Sequence, residues 1–160
     1  MKKILLIAAF GLFAFASNAQ SSIDEIKILQ TQYGLDKKQL VVMMMKFSEE
    51  ESAKFWTIYD KYEVERLKLG QNRIDGILDY AKNYDKMTDE KATELVNKTL
   101  DNHAAFAKLQ QKTFKELSGA ITAIRAAQFI QLEMFLENVI RLEVADEIPL
   151  IKKAEAQKKP

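Results

Sequence analysis

Apolar residues recur at helical spacing along most of the chain, most strongly from Leu117 to Ile151. There Ile121, Ile124, Leu132, Phe135, Val139 and Leu142 fall in steps of three and four, with Gln128 filling the one gap. A second row, Phe129, Leu136 and Ile140, lies beside the first, and Ile130 and Met134 fall outside both. A stripe this wide must bury more than one side or leave a patch for a partner.

The same reading predicts the other elements. Ser22–Tyr33 reads as a short helix stopped by Gly34. Asp36 restarts the chain as an N-cap, with Gln39 at the capping-box position, ahead of the run Leu40–Met45. Phe47-Ser48-Glu49-Glu50-Glu51 is the clearest helix start: Ser48 caps, Glu51 reaches back, and the acids suit the positive end of the dipole. That helix is predicted over Glu49–Asp85, roughly 55 Å long at 1.5 Å per residue. Its face carries Phe55, Ile58, Tyr59, Tyr62, Leu69, Ile77, Tyr80, Ala81 and Tyr84, and Gly70 and Gly76 allow a bend. Thr88 caps the next helix, with Ala92, Leu95, Val96, Leu100, Phe106, Leu109, Phe114 and Leu117 on its apolar face; Ser118-Gly119-Ala120 is expected to break it. Thr122 caps the last, which ends by Ile148 because the residue before Pro149 avoids helical angles. Leu150 and Ile151 are expected to fold back onto the bundle. With few glycines, two prolines and no strand alternation, the fold expected is all-α, of long antiparallel amphipathic helices and no sheet.

The start of the chain changes the picture. Met1-Lys2-Lys3, an apolar run from Ile4 to Ala16 and the small residues Ser17-Asn18-Ala19 read as a cleavable secretory signal over residues 1–19. This predicts a periplasmic protein with a helical domain over 20–151 and a flexible basic tail over 152–160, without stable membrane insertion after cleavage. Lys2 and Lys3 leave with the signal, so the 24 basic residues fall to 22 against 23 acidic ones and the formal charge becomes −1. Mixed, nearly balanced charge gives no electrostatic footprint for nucleic acid. There is no cysteine, which excludes disulfides, thiolate catalysis and lipid attachment through cysteine.

Four short segments share one pattern, an apolar residue, a cap, two variable positions and a long polar side chain: Leu35–Gln39, Phe47–Glu51, Met87–Lys91 and Ile121–Arg125. Staple-and-cap physics explains it. Together with the signal and the long helices, it resembles the LTxxQ-motif family of periplasmic proteins (Spy/CpxP-like), as a divergent branch. The closest segments are FSEEESAKFWTIYDKYEVE, ILDYAKNYDKMTDEKATELV and AAQFIQLEMFLENVIRLEVADEIPLI. None of the four sites spells Leu-Thr-x-x-Gln, and Lys91 and Arg125 stand where the motif has glutamine. The resemblance implies hooked helical hairpins paired as a thin homodimer. It implies an ATP-independent chaperone for unfolded or stress-damaged envelope proteins. Alternatively, it implies an envelope-stress or metal-responsive regulator that binds a membrane signalling protein, a sensor kinase or a sigma-factor system.

Candidate residues follow from chemistry. Met43, Met44 and Met45 are adaptable thioethers that read as core filler, client contact or a Cu(I) site. With Phe47, Ile130 and Met134 they form the expected client or partner surface. Phe55, Trp56, Tyr59 and Tyr62 read as core or as a dimer seam. His103 is the one histidine and is expected to be structural or solvated, so no metal or cofactor is predicted. The pairs Asp75/Asp79, Glu90/Glu94 and Glu133/Glu137 are expected on solvated faces, and Glu137–Arg141 as an i,i+4 ion pair. No nucleophile elbow or phosphate loop is present, and no catalytic residue is predicted.

Overall fold

A computed structural model describes residues 34–151. Four α-helices account for most of them: α1 (Lys37–Met45), α2 (Glu49–Asn83), α3 (Asp89–Ala120) and α4 (Ala123–Asp146). A 3-10 turn, Tyr84–Lys86, follows α2. Among the described residues there is no strand, as the sequence requires of an all-α chain. The signal, the Ser22–Tyr33 helix and the basic tail lie outside the described residues. No described helix is long and apolar enough to cross a membrane.

All four caps form. Asp36 accepts from the Gln39 amide and Ser48 from the Glu51 amide, and both close reciprocal boxes because Gln39 and Glu51 reach back. Thr88 and Thr122 accept from the amides of Lys91 and Arg125 at 3.2 Å. A cation cannot complete a box, and these two side chains are used elsewhere. Lys91 bonds Asp79, and Arg125 spans from Glu51 to the Met45 carbonyl.

α2 and α3 form a long antiparallel hairpin. Asn102 on α3 donates to the Leu69 carbonyl, and nearer the turn Lys91 meets Asp79. α4 then runs parallel to α2: Phe55 meets Phe129, Tyr62 meets Glu133, Arg73 meets Glu137 and Tyr80 meets Pro149, in ascending order on both. α1 doubles back along the first half of α2 and wedges against α4. The chain turns sharply at Lys46, whose φ of 46° is left-handed.

The buried side chains form two clusters. One gathers Val41, Met45, Phe55, Tyr59, Tyr62, Leu117, Ala126 and Phe129. The other gathers Leu40, Leu136, Ile140 and Val144, with Leu35, Ile77 and Ile148 against it. Phe129 sits edge-on to Phe55, Tyr59 and Tyr62 at centroid distances of 5.0, 6.0 and 5.7 Å. Such tilted arrangements add roughly 0.5–1.5 kcal/mol per pair beyond area burial.

Several expectations need correction. Of the apolar face predicted for α3, Val96 and Leu100 are at least half exposed, because only the last turns of α4 reach that end of the hairpin. α2 ends at Asn83, two residues early, because the chain tightens into the 3-10 turn; it runs unbroken through Gly70 and Gly76. Ser118-Gly119-Ala120 does not break α3, which continues to Ala120. Ser118 bonds its hydroxyl back to the Phe114 carbonyl inside the helix, and the break comes at Ile121. On α4 the second row is the buried one. Phe129, Leu136 and Ile140 are enclosed, whereas Ile124, Phe135 and Leu142 of the first row are more than half exposed. Leu150 does not fold inward and is 91% exposed. What holds that segment is its backbone, because Tyr80 and Tyr84 donate to the Pro149 and Leu150 carbonyls.

Candidate functional site

The helical phase of α2 places one residue type where the apolar face does not want it. Phe55, Tyr59, Tyr62 and Arg66 follow one another in steps of four, three and four, so Arg66 is carried into the interior and is only 3% exposed. On α4 the same arithmetic buries Glu133 and Glu137 in line with Phe129, Leu136 and Ile140. On α1, Lys37 precedes Leu40 and Val41 by three and four positions and is buried with them. Three helices therefore bring charge to one inner surface.

Those charges form a cage. Lys37 Nζ lies 2.6 Å from Glu63 Oε2 and 2.8 Å from Glu133 Oε2. Arg66 Nε contacts both Glu63 oxygens at 3.0 Å. The Tyr62 hydroxyl donates to Glu133 Oε2 at 2.7 Å, and the ammonium of Lys37 lies 5.2 Å from the centre of the Tyr62 ring. Burial pushes the Glu63 carboxyl up, but Lys37 and Arg66 outweigh it and hold it below the usual carboxylate range. Burial, with Glu63 and Glu133 nearby, pushes the Tyr59 hydroxyl far up; burial and Glu133 do the same to Tyr62, so both stay neutral donors. Glu133 Oε1 is buried with no hydrogen-bond partner. A carboxylate oxygen left so is costly, since its desolvation is not offset.

A second ionic group lies further along. Glu137 Oε1 receives both Arg73 and Arg141, and both guanidiniums stack near the Phe106 ring, at 5.1 and 5.9 Å. The predicted Glu137–Arg141 pair is present at 2.9 Å. The expectation that Glu133 and Glu137 face solvent is overturned. They ride the buried row of α4, and cations from the other helices and from α4 itself accompany them. Asp79 fits its expectation better, holding Lys91 and Lys98 at the partly exposed end of the hairpin.

Beyond Phe106 the three long helices splay into a groove of about 1030 Å³. Its walls include Leu69, Ile77, Leu95, Leu100, Val144 and Ile148. Arg73, Arg141, Asn102 and His103 line one part of it. His103 is exposed, as expected of a solvated histidine, and the partial cover it does have, with Arg141 and Arg73 nearby, lowers its basicity. Among the described residues no three His, Asp or Glu side chains gather as a metal site.

The predicted surface residues separate. Met43 and Met44 are 50% and 60% exposed, but Met45 is 4% exposed. Met45 cannot be client contact, because it lies one turn after Val41 and packs on the aromatic cluster. Phe47 packs its tilted ring on Phe55, centroids 4.3 Å apart, and is half-buried. Ile130 is half-buried, and Met134 stands outward. Phe55, Tyr59 and Tyr62 cannot form a dimer seam, since α1 and α4 already cover them. Trp56 keeps a partly exposed edge, with Nε1 donating to Ser52 and Lys38 over its ring. The structure thus does not gather the predicted residues in one place. Reading the sequence for chemistry missed Lys37, Glu63 and Arg66, although Lys37 and Arg66 stand in phase with apolar neighbours. A charged residue on the apolar face was the available signal. No known protein family, characterised protein or solved structure matches this chain.

Proposed function

We propose that this protein is an exported polypeptide-binding protein, a periplasmic chaperone of the ATP-independent kind that shields unfolded or stress-damaged envelope proteins. The observation that carries the reading is apolar helical surface left uncovered by the chain's own packing. Val42, Met43 and Met44 stand outward on α1, Ile124, Met134 and Leu142 on α4, and Val96 and Leu100 at the groove. Isolated exposed apolar residues are ordinary; several on adjoining helices, beside a long apolar groove, support binding. Methionine suits partners of varied shape. The mixed charges along α2 and α3 would help keep a loaded complex soluble.

The test is light scattering from a thermally unfolding client. An equimolar amount of this protein should suppress aggregation without nucleotide. Unchanged scattering would remove the holdase reading and leave a binder of one signalling partner.

A further inference from the structure

α1 is nine residues long, too short to persist alone in water. Within the described chain it is joined on its C-terminal side by a single turn, in which Lys46 takes the left-handed conformation. It fills a cleft between α2 and α4, and it shows what that cleft accepts: a basic residue at one end, then apolar side chains three, four and eight positions later. Lys37, Leu40, Val41 and Met45 are those residues, all buried. The fit at the charged end is incomplete. Lys37 bonds Oε2 of Glu63 and Oε2 of Glu133, while Glu133 Oε1 stays buried and unsatisfied. An ammonium is a point donor, whereas a guanidinium offers a planar fork that takes both oxygens of a carboxylate.

We propose that this cleft is an exchangeable interaction surface for an amphipathic partner helix, whose leading arginine displaces Lys37 and sits between Glu63 and Glu133. α1 is then the resident occupant, holding the apolar surface closed until a better-matched helix takes its place. The partner motif is an arginine with apolar residues at the third, fourth and eighth positions after it. This rests on the polypeptide-binding part of the proposed function and not on general holdase activity.

The experiment uses labelled peptides of the segment 35–46, titrated into the full chain and into the full chain carrying Lys37→Ala. The native peptide should bind the Lys37→Ala chain, and its Lys37→Arg form should bind about tenfold tighter, the gain expected of a bidentate charge-assisted contact. The Lys37→Glu form should not bind. Glu133→Gln in the protein should erase the preference for arginine. Equal binding of the three peptides, or none by any of them, overturns the proposal. Hydrogen exchange on the unaltered chain decides independently of folding defects in the variants. Amides of α1 should exchange at least tenfold faster than those of α4 around Phe129, a margin set by local opening; equal protection overturns exchangeability. Peptide binding alongside a failed scattering assay would keep this surface and discard the holdase.

Discussion

The two ends of the α2–α3 hairpin are built differently. At the end near Phe55 and Leu117, α1 and the start of α4 close over the hairpin, and aromatic rings fill the space. At the end near Ile77 and Leu95 there is no fourth helix among the described residues, and only the last turns of α4 reach across. Leu95 is buried there, but Val96 and Leu100 remain at least half exposed. The closed end has the aromatic cluster and an internal charge cage; the open end has a groove. Cover by α1 and the start of α4, which the open end lacks, separates the two. The two ends should therefore answer substitution oppositely.

The largest effect belongs to the closed end. Phe129→Ala removes the ring on which Phe55, Tyr59 and Tyr62 converge, and should cost about 4 kcal/mol by urea unfolding. Next comes Glu133→Ala, expected to cost about 3 kcal/mol, because it strips a counter-charge from buried Lys37 and the acceptor from Tyr62. Replacing Leu100 by serine at the open end should change stability by less than about 0.5 kcal/mol, yet weaken suppression of client aggregation. If Leu100→Ser destabilised as much as Phe129→Ala, the distinction between the ends would fail.

Much of this was legible before the structure. The four caps, the helix order and the all-α class follow from staple residues and periodicity, because these are local. The site was less legible, for a physical reason. Periodicity says which residues share a face but not which of two adjoining rows wins burial. On α4, Ile124, Phe135 and Leu142 form the more apolar-looking row, yet the row holding Glu133 and Glu137 is enclosed, because Lys37, Arg73 and Tyr62 arrive from other helices to meet those carboxylates. Contacts from 64 to 96 residues away in sequence decide that, and no single-helix pattern contains them. The dimer-seam reading of Phe55, Tyr59 and Tyr62 failed likewise, since α1 was not foreseen as their cover.

Smaller effects sharpen the comparison through the backbone. At the closed end, Lys46→Gly relieves a left-handed residue whose side chain is exposed, and should gain about 0.5–1 kcal/mol in thermal unfolding. At the open end, Gly76 lies in a continuous helix with nothing within 4 Å of an added Cβ. Gly76→Ala should gain about as much, roughly 0.5–1 kcal/mol, by lowering unfolded-state entropy. The two gains should add, because the sites lie on different parts of the molecule and share no partner.

The smallest effect is pH dependence, followed at one group from each end. His103, beside the groove, has its pKa lowered below 6.5 by partial burial and then by Arg141 and Arg73. The unfolded chain then binds the proton more readily, so the stability this residue contributes is complete above about pH 6.5 and declines as pH falls through the lowered value. At the closed end Glu63 is also lowered, by Lys37 and Arg66 against the pull of its burial. Its contribution is complete above the ordinary value of 4.5 and is lost only as pH falls through a value beneath that. Unfolding midpoints followed from pH 8 to about pH 3 should fall in two stages, a slight one first and a steeper one later. His103→Gln should abolish the first stage alone, and Glu63→Gln should blunt the second alone. A single stage removed by either substitution would mean that the ends are electrostatically one unit.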